Sequence, residues 1–176
     1  MISRELRQTI EKALREDEVV KYMKAGLLRT VYFYMNRNEI VNTWQLTNYL
    51  MQVSGLTAEE ILENLGLSVP KFCFRYIVIP HITVPANIKQ LNDYAFAECL
   101  YLKVVELESK SVSFKKSVFD GTPIEIIKYN GTMLDWSKQV KLDKSWLDNC
   151  KNEIRVVCSD GVFYYESGGQ GNYFVS

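Results

Sequence analysis

The chain has 176 residues, of which 47% are hydrophobic and 24% charged, ordinary values for a globular protein of one domain or two small ones. Its 21 basic residues balance its 21 acidic residues, so the net basic charge typical of nucleic-acid-binding proteins is missing and an anionic membrane is not favoured. No stretch approaches the roughly 18 apolar residues of a membrane span, and no signal-peptide core follows Met1, so we expect a cytoplasmic protein that contacts no membrane.

The N-terminal segment predicts helices. Apolar residues recur at helical spacing after Ser3, and a second run from Val19 to Tyr34 is apolar over a wide arc. Such an arc is expected to be buried or shared with a partner, and a homodimer through these helices is one interpretation. A third helix is predicted over 42–51, with Asn42 or Thr43 as its cap.

A capping box, Thr57-Ala58-Glu59-Glu60, predicts a helix from Ala58 to Leu65 that ends at Gly66. A helix, a glycine-containing turn and a second helix also suggest a helix-turn-helix DNA-binding regulator as an alternative. The second helix would then present three carboxylates to the phosphates, which disfavours duplex DNA. Its expected exposed residues are Glu59, Glu60, Glu63 and Asn64.

The next segment marks a change from helical to β-rich sequence. Pro70 and Pro80 bracket an apolar, aromatic run, Phe72 to Ile79, which predicts an extended segment.

Three segments that follow repeat an L-x-x-L-x-L pattern at spacings of 23 and 22 residues: Ile79–Val84, Leu102–Leu107 and Ile124–Tyr129. Each predicts a short strand with alternate side chains pointing inward. One strand cannot bury that face alone, so we expect strands at Ile82–Val84, Val104–Leu107 and Ile126–Tyr129 to stack in parallel. Phe96 and Phe119, also 23 residues apart, are expected to fill the core behind them.

These residues resemble the BspA-like leucine-rich repeats, a bacterial variety. The match runs through Ile82-Thr83-Val84-Pro85, Ile88 and Leu91 to Tyr94–Cys99, in the family's order of strand, proline, isoleucine and A-F-x-x-C. The second repeat departs from it, with Ser117-Val118-Phe119 and with Thr122 in place of the cysteine.

The end of the array resembles the family's usual ending. It contains Tyr129-Asn130-Gly131-Thr132, Asp135-Trp136 and a last strand with Cys158-Ser159-Asp160-Gly161. The resemblance covers about residues 79–161. Trp136 and Trp146 are interpreted as closing the end of the array, with an interface role as the alternative. Gly168–Gly171 predicts a turn or tail, because the helix and lysine of a phosphate loop do not follow it.

The cysteines and the histidine give no catalytic or metal-binding pattern. Cys73, Cys99, Cys150 and Cys158 form no close pair and His81 is the single histidine, so we expect free buried thiols, no disulfide, no metal and no cofactor. The resemblance places Cys99 and Cys158 in the core. A Cys73–His81 nucleophile and base is disfavoured because no third group orients the pair.

The predicted fold class is therefore α+β: a helical unit at 1–68, then a short leucine-rich-repeat solenoid with a cap at 69–176. The resemblance implies no enzyme but a module that binds another protein. Small proteins with a non-repeat head and such a tail resemble phage or mobile-element products, which implies an inhibitor with an anti-defence role in the host cytoplasm. A small enzyme is a further alternative.

The predicted partner surface follows from the repeat. The x positions of each L-x-x-L-x-L segment point away from the core, so stacking places them in a ladder on one face. Its residues are His81, Thr83, Lys103, Val104, Glu106, Glu125, Ile126 and Lys128. The wide apolar arc of the N-terminal helices is the alternative contact surface.

Overall fold

A computed structural model describes residues 43–52, 55–140, 144–166 and 174–175. Two helices, α1 (Thr43–Gln52) and α2 (Ala58–Asn64), precede the strands, and α3 (Met133–Val140) and a 3-10 turn (Ser145–Leu147) lie near the end. The strands are β1 (Ser68–Val69), β2 (His81–Val84), β3 (Gln90–Leu91), β4 (Val104–Leu107), β5 (Ser113–Phe114), β6 (Ile126–Tyr129), β7 (Ile154–Cys158), β8 (Gly161–Tyr165) and β9 (Phe174–Val175). The chain is thus mixed in helix and strand, as predicted.

The strands form two sheets. The larger has the order β2-β4-β6-β7-β8-β9, and its first four strands are parallel. The smaller is parallel and has the order β1-β3-β5. The three strands predicted from the repeat are confirmed, together with their parallel stacking.

One coil of the chain runs from a strand of the smaller sheet, through a turn, to a strand of the larger sheet. Alternate residues of β2, β4 and β6 are buried, as a period of two requires. Opposite them the fully buried rings of Phe74, Phe96 and Phe119 stack, with centroids 5.2 and 5.8 Å apart. The predicted core role of Phe96 and Phe119 is confirmed.

The predicted extended segment over 72–79 is wrong, because residues 71–76 form turns. Phe72 and Tyr76 have positive φ angles of 58° and 63°. The same two conformations recur one coil later at Tyr94 and Glu98, with φ angles of 57° and 53°. The apolar run is therefore the turn side of an additional first coil, and its aromatic residues pack on the next coil; Phe72 stacks on Tyr94 at 5.1 Å.

Helix α2 covers the open edge of β2. Its predicted capping box is present: Glu60 N donates to Thr57 Oγ1 and Thr57 N donates to Glu60 Oε2. Ile61 and Leu62 are fully buried, and Glu59 Oε1 accepts a hydrogen bond of 3.3 Å from Thr83 N. Glu59, expected to be exposed, is half-buried for this reason, and Asn64, expected to be exposed as well, is also half-buried.

Helix α3 and two tryptophans pack together between β6 and β7 in the chain. Thr132 and Asp135 cap α3 reciprocally, since Asp135 N donates to Thr132 Oγ1 and Thr132 N to Asp135 Oδ2. Trp136 and Trp146 are buried with centroids 6.0 Å apart, and Trp136 Nε1 donates to Tyr165 Oη at 2.8 Å. That they close the end of the array stays a prediction.

The predicted helices after Ser3 and over Val19–Tyr34, the dimer contact through them, the Asn42 cap and the tail Gly168–Gly171 lie outside the described residues. In the part of the chain that is described, no helix has the length and apolar character needed to cross a bilayer.

Candidate interaction surface

Six of the eight predicted surface residues lie in two outward rows across the larger sheet, and the other two, Lys103 and Glu125, stand directly before β4 and β6. Strand register places His81 beside Val104 and Val104 beside Ile126. The second row is Thr83, Glu106 and Lys128. We call these two rows, with their continuation on β7 and β8, the β-face.

Charged side chains on β4 and β6, and directly before them, pair with one another. Glu106 Oε2 lies 3.6 Å from His81 Nε2, and Glu106 Oε1 forms a short ion pair with Lys128 Nζ. Lys103 Nζ and Glu125 Oε1, just before β4 and β6, lie 2.8 Å apart. These pairs lie at the surface, so each contributes little to folding stability.

The hydrogen bond from Lys128, together with its charge, holds the pKa of Glu106 below its ordinary value of 4.5. The carboxylate therefore stays ionised near neutral pH. A partner meeting this part of the surface meets ion pairs that are already formed, not unpaired charges.

The rows extend beyond the residues found from sequence. Ile126 lies beside Arg155 and Lys128 beside Val157 on β7, and Tyr164 continues the first row on β8. Val157 is 40% exposed, while Val156 and Cys158 are buried. Because Ile154–Cys158 departs from L-x-x-L-x-L, the repeat does not predict that β7 joins this surface. The alternation of apolar and mixed residues in the segment is the sequence signal that indicates a strand there.

An apolar corner adjoins the β-face at the start of its strands. Val78 is 73% exposed, and Leu100 and Tyr101 are 59% and 61% exposed. A backbone hydrogen bond of 2.9 Å from Lys103 N to Pro80 O aligns the two segments that carry these side chains. Val78 stands three residues before His81 on β2, and Tyr101 stands three residues before Val104 on β4.

The cysteines lie in the core, away from His81. Cys73 is fully buried against Thr47, with 3.5 Å between Sγ and Oγ1, whereas His81 is exposed and contacts Glu106. Burial raises the pKa of Cys99 and of Cys150 to about 12. Burial likewise raises the pKa of Cys158 to about 11. These three thiols are therefore protonated at neutral pH and poor nucleophiles.

No group of three or more histidine, cysteine, aspartate or glutamate side chains within the described ranges is arranged to hold a metal ion.

Comparison with known proteins gives one match. The chain matches the family model described as BspA type leucine-rich repeat region (6 copies) over residues 62–166. The match is wider than the 79–161 predicted from sequence and takes in the first coil. No curated protein and no solved structure matched the chain. Because the match spans more than half of the 176 residues, the chain belongs to the family of BspA-type leucine-rich repeat proteins.

Proposed function

We propose that this protein is a non-catalytic module that binds another protein through the β-face and the adjoining apolar corner. The observation that carries the proposal is the ion pairing of Glu106 with Lys128 beside the apolar residues of the β-face. With Glu106 paired to Lys128, the side chains left to contact a partner include Val104 and Ile126. An apolar centre within a polar rim is the arrangement that protein interfaces favour.

The small area of the β-face supports including the apolar corner in the binding surface. Five strands at about 4.8 Å spacing and four residues at about 3.4 Å give a flat area of roughly 330 Å². A standard interface covers about 800 Å² on each partner. Val78, Leu100 and Tyr101 enlarge the apolar area beside the sheet, so a partner of ordinary interface size would contact both.

We further propose that the coils form a short solenoid and that the protein acts in the cytoplasm. A phage or mobile-element protein that inhibits a host defence protein is the specific role we propose, supported by family-level analogy alone. Plaque counts with and without the protein, in a host that carries an active defence system, test that role. Unchanged counts across several systems would argue against it.

The β-face is tested by capture of partners from a lysate of the source cell, followed by mass spectrometry. The test variant combines Val104→Asp with Ile126→Lys, which removes the apolar centre without adding net charge. The matched control combines Leu67→Asp with Leu134→Lys, two side chains that are 69% and 61% exposed away from the β-face. We expect one protein to be captured by the wild type and the control and lost from the test variant. Capture of that protein by all three would refute the proposal that the β-face is the binding surface.

A further inference from the structure

A cleft lined by lysines lies outside the β-face, between the smaller sheet and α3. It has a volume of about 430 Å³. Lys89 lies before β3, Lys110 precedes β5, and Lys138 comes from the last turn of α3. Asp135 is the acidic residue among the lining residues, so three ammonium groups face one carboxylate.

The walls of the cleft are held by hydrogen bonds. Gln139 Oε1 accepts from Val112 N at 2.7 Å, which fixes α3 to the segment before β5. Tyr129 Oη donates to Lys110 O at 2.7 Å. Lys89 Nζ donates to Ala86 O and to Ser109 Oγ, both at 2.8 Å. The cleft is therefore organised before any ligand arrives.

The lysine charges of the cleft outnumber the single acidic charge that lies beside them. Among the described residues, the Nζ atoms of Lys89, Lys110 and Lys138 form no ion pair, in contrast to those of Lys103 and Lys128 on the β-face. Asp135 caps α3 through Oδ2, which accepts from both N and Oγ1 of Thr132, and its carboxylate also interacts electrostatically with Lys138 and Lys110. It therefore offsets one of the three positive charges. A chain with zero net charge thus concentrates an excess of positive charge in one cleft, which attracts anions.

We infer that this cleft binds an acidic segment of polypeptide, whose carboxylates pair with Lys89, Lys110 and Lys138. The shape favours a chain segment, because five of the eight lining residues are exposed and a small ligand usually needs most of its surface enclosed. The backbone favours carboxylates over phosphate: the amides of Ser111, Val112 and Ser113 already donate to Ser109 Oγ, Gln139 Oε1 and Lys89 O. They leave no nest of free amides for a phosphate.

The inference rests on the proposed function only in taking the ligand to be a polypeptide. The β-face and the cleft use different residues, so loss of capture by the β-face variant and loss of peptide binding by a cleft variant are separate results.

The test is fluorescence anisotropy of a labelled hexaglutamate peptide titrated with the full-length protein at low and high salt. The cleft variant combines Lys110→Gln with Lys138→Gln. The matched control combines Lys115→Gln with Lys116→Gln, two exposed lysines outside the cleft, so both variants lose the same charge. We expect the cleft variant to bind about tenfold more weakly, equivalent to about 1.4 kcal/mol. The control should stay within about twofold of wild type, and wild-type affinity should fall as salt rises.

Three results would overturn the inference. The peptide could fail to bind at low salt, or both variants could lose affinity equally, which would indicate non-specific attraction. Inorganic pyrophosphate could displace the peptide at an equal or lower concentration, which would make the cleft a phosphate site.

Discussion

Phe96 links three coils through its ring. It is fully buried and stacks on Phe74 and Phe119. Its truncation would leave a cavity lined by neighbouring coils, so we expect Phe96→Ala to lower the free energy of unfolding by about 3–5 kcal/mol. Urea denaturation measures the change. Tyr101→Ala, at a side chain 61% exposed, is the control and should shift the free energy by less than about 0.5 kcal/mol. Coincident curves for wild type and Phe96→Ala would contradict the stacking.

Glu106 gives a second prediction at this scale. The hydrogen bond from Lys128 is the largest cause of its lowered pKa. Lys128→Met should therefore raise the pKa of Glu106 toward its ordinary value of 4.5, which side-chain carboxyl NMR measures. Because the folded pKa is the lower one, the stabilisation is present above the unfolded pKa and is lost as pH falls through the folded pKa. A pKa unchanged by Lys128→Met would show that the ion pair does not persist in solution.

Helix α2 carries a prediction at the scale of the element. Its Glu59 accepts from Thr83 N and its Ile61 and Leu62 are buried, so the helix covers a sheet edge, while Glu60 and Glu63 stay exposed. Those carboxylates would repel phosphates. We expect no sequence-selective binding of duplex DNA at physiological salt, measured by gel shift against a random duplex library. Enrichment of one sequence, lost as salt rises, would restore the helix-turn-helix alternative.

Strands β2, β4 and β6 could be predicted because each buries one face and so leaves a period of two in the sequence. The strands of the smaller sheet could not. β1, β3 and β5 have two residues each, too few for a period to show. Helix α2 was found through its cap, where Thr57 and Glu60 bond reciprocally.

The sequence of the turn over 71–76 resembles that of a buried strand for a physical reason. Apolar residues there face both the core and the neighbouring coil: Phe74 is fully buried, and Phe72 stacks on Tyr94. The run is therefore continuously apolar, as a buried strand is, although residues with positive φ make it turn. Phe72 and Tyr76 are unusual occupants of that conformation, which glycine and asparagine adopt more readily.

The candidate surface was partly predictable from sequence. Val104 and Ile126 follow from the repeat because register and period together place them side by side. Arg155 and Val157 could not be found in this way, because α3 and the 3-10 turn lengthen the coil before β7 and shift its strand out of the 22–23 residue spacing. The cleft beside α3 depends on how that longer coil folds back. No local sequence pattern predicts this arrangement, so the cleft could not be predicted from the sequence.

At the scale of the whole molecule, the chemistry of the thiols gives a testable expectation. Cys73, Cys99, Cys150 and Cys158 are buried, and none of them forms a disulfide among the described residues. Under denaturing, non-reducing conditions we expect four titratable thiols in each chain. Elemental analysis is expected to find no stoichiometric zinc, and a chelator should leave the circular dichroism spectrum unchanged. Fewer thiols, or loss of structure in the chelator, would contradict the expectation.

The binding role is tested most directly by the dissociation constant of the captured partner. Calorimetry would compare the wild type, the Val104→Asp/Ile126→Lys variant and the Leu67→Asp/Leu134→Lys control, each first shown to be folded by circular dichroism. Loss of a buried apolar centre typically costs a few kcal/mol of binding energy. We therefore predict that the β-face variant binds about 100-fold more weakly, while the control stays within about threefold of wild type. A folded β-face variant with wild-type affinity would contradict the central claim.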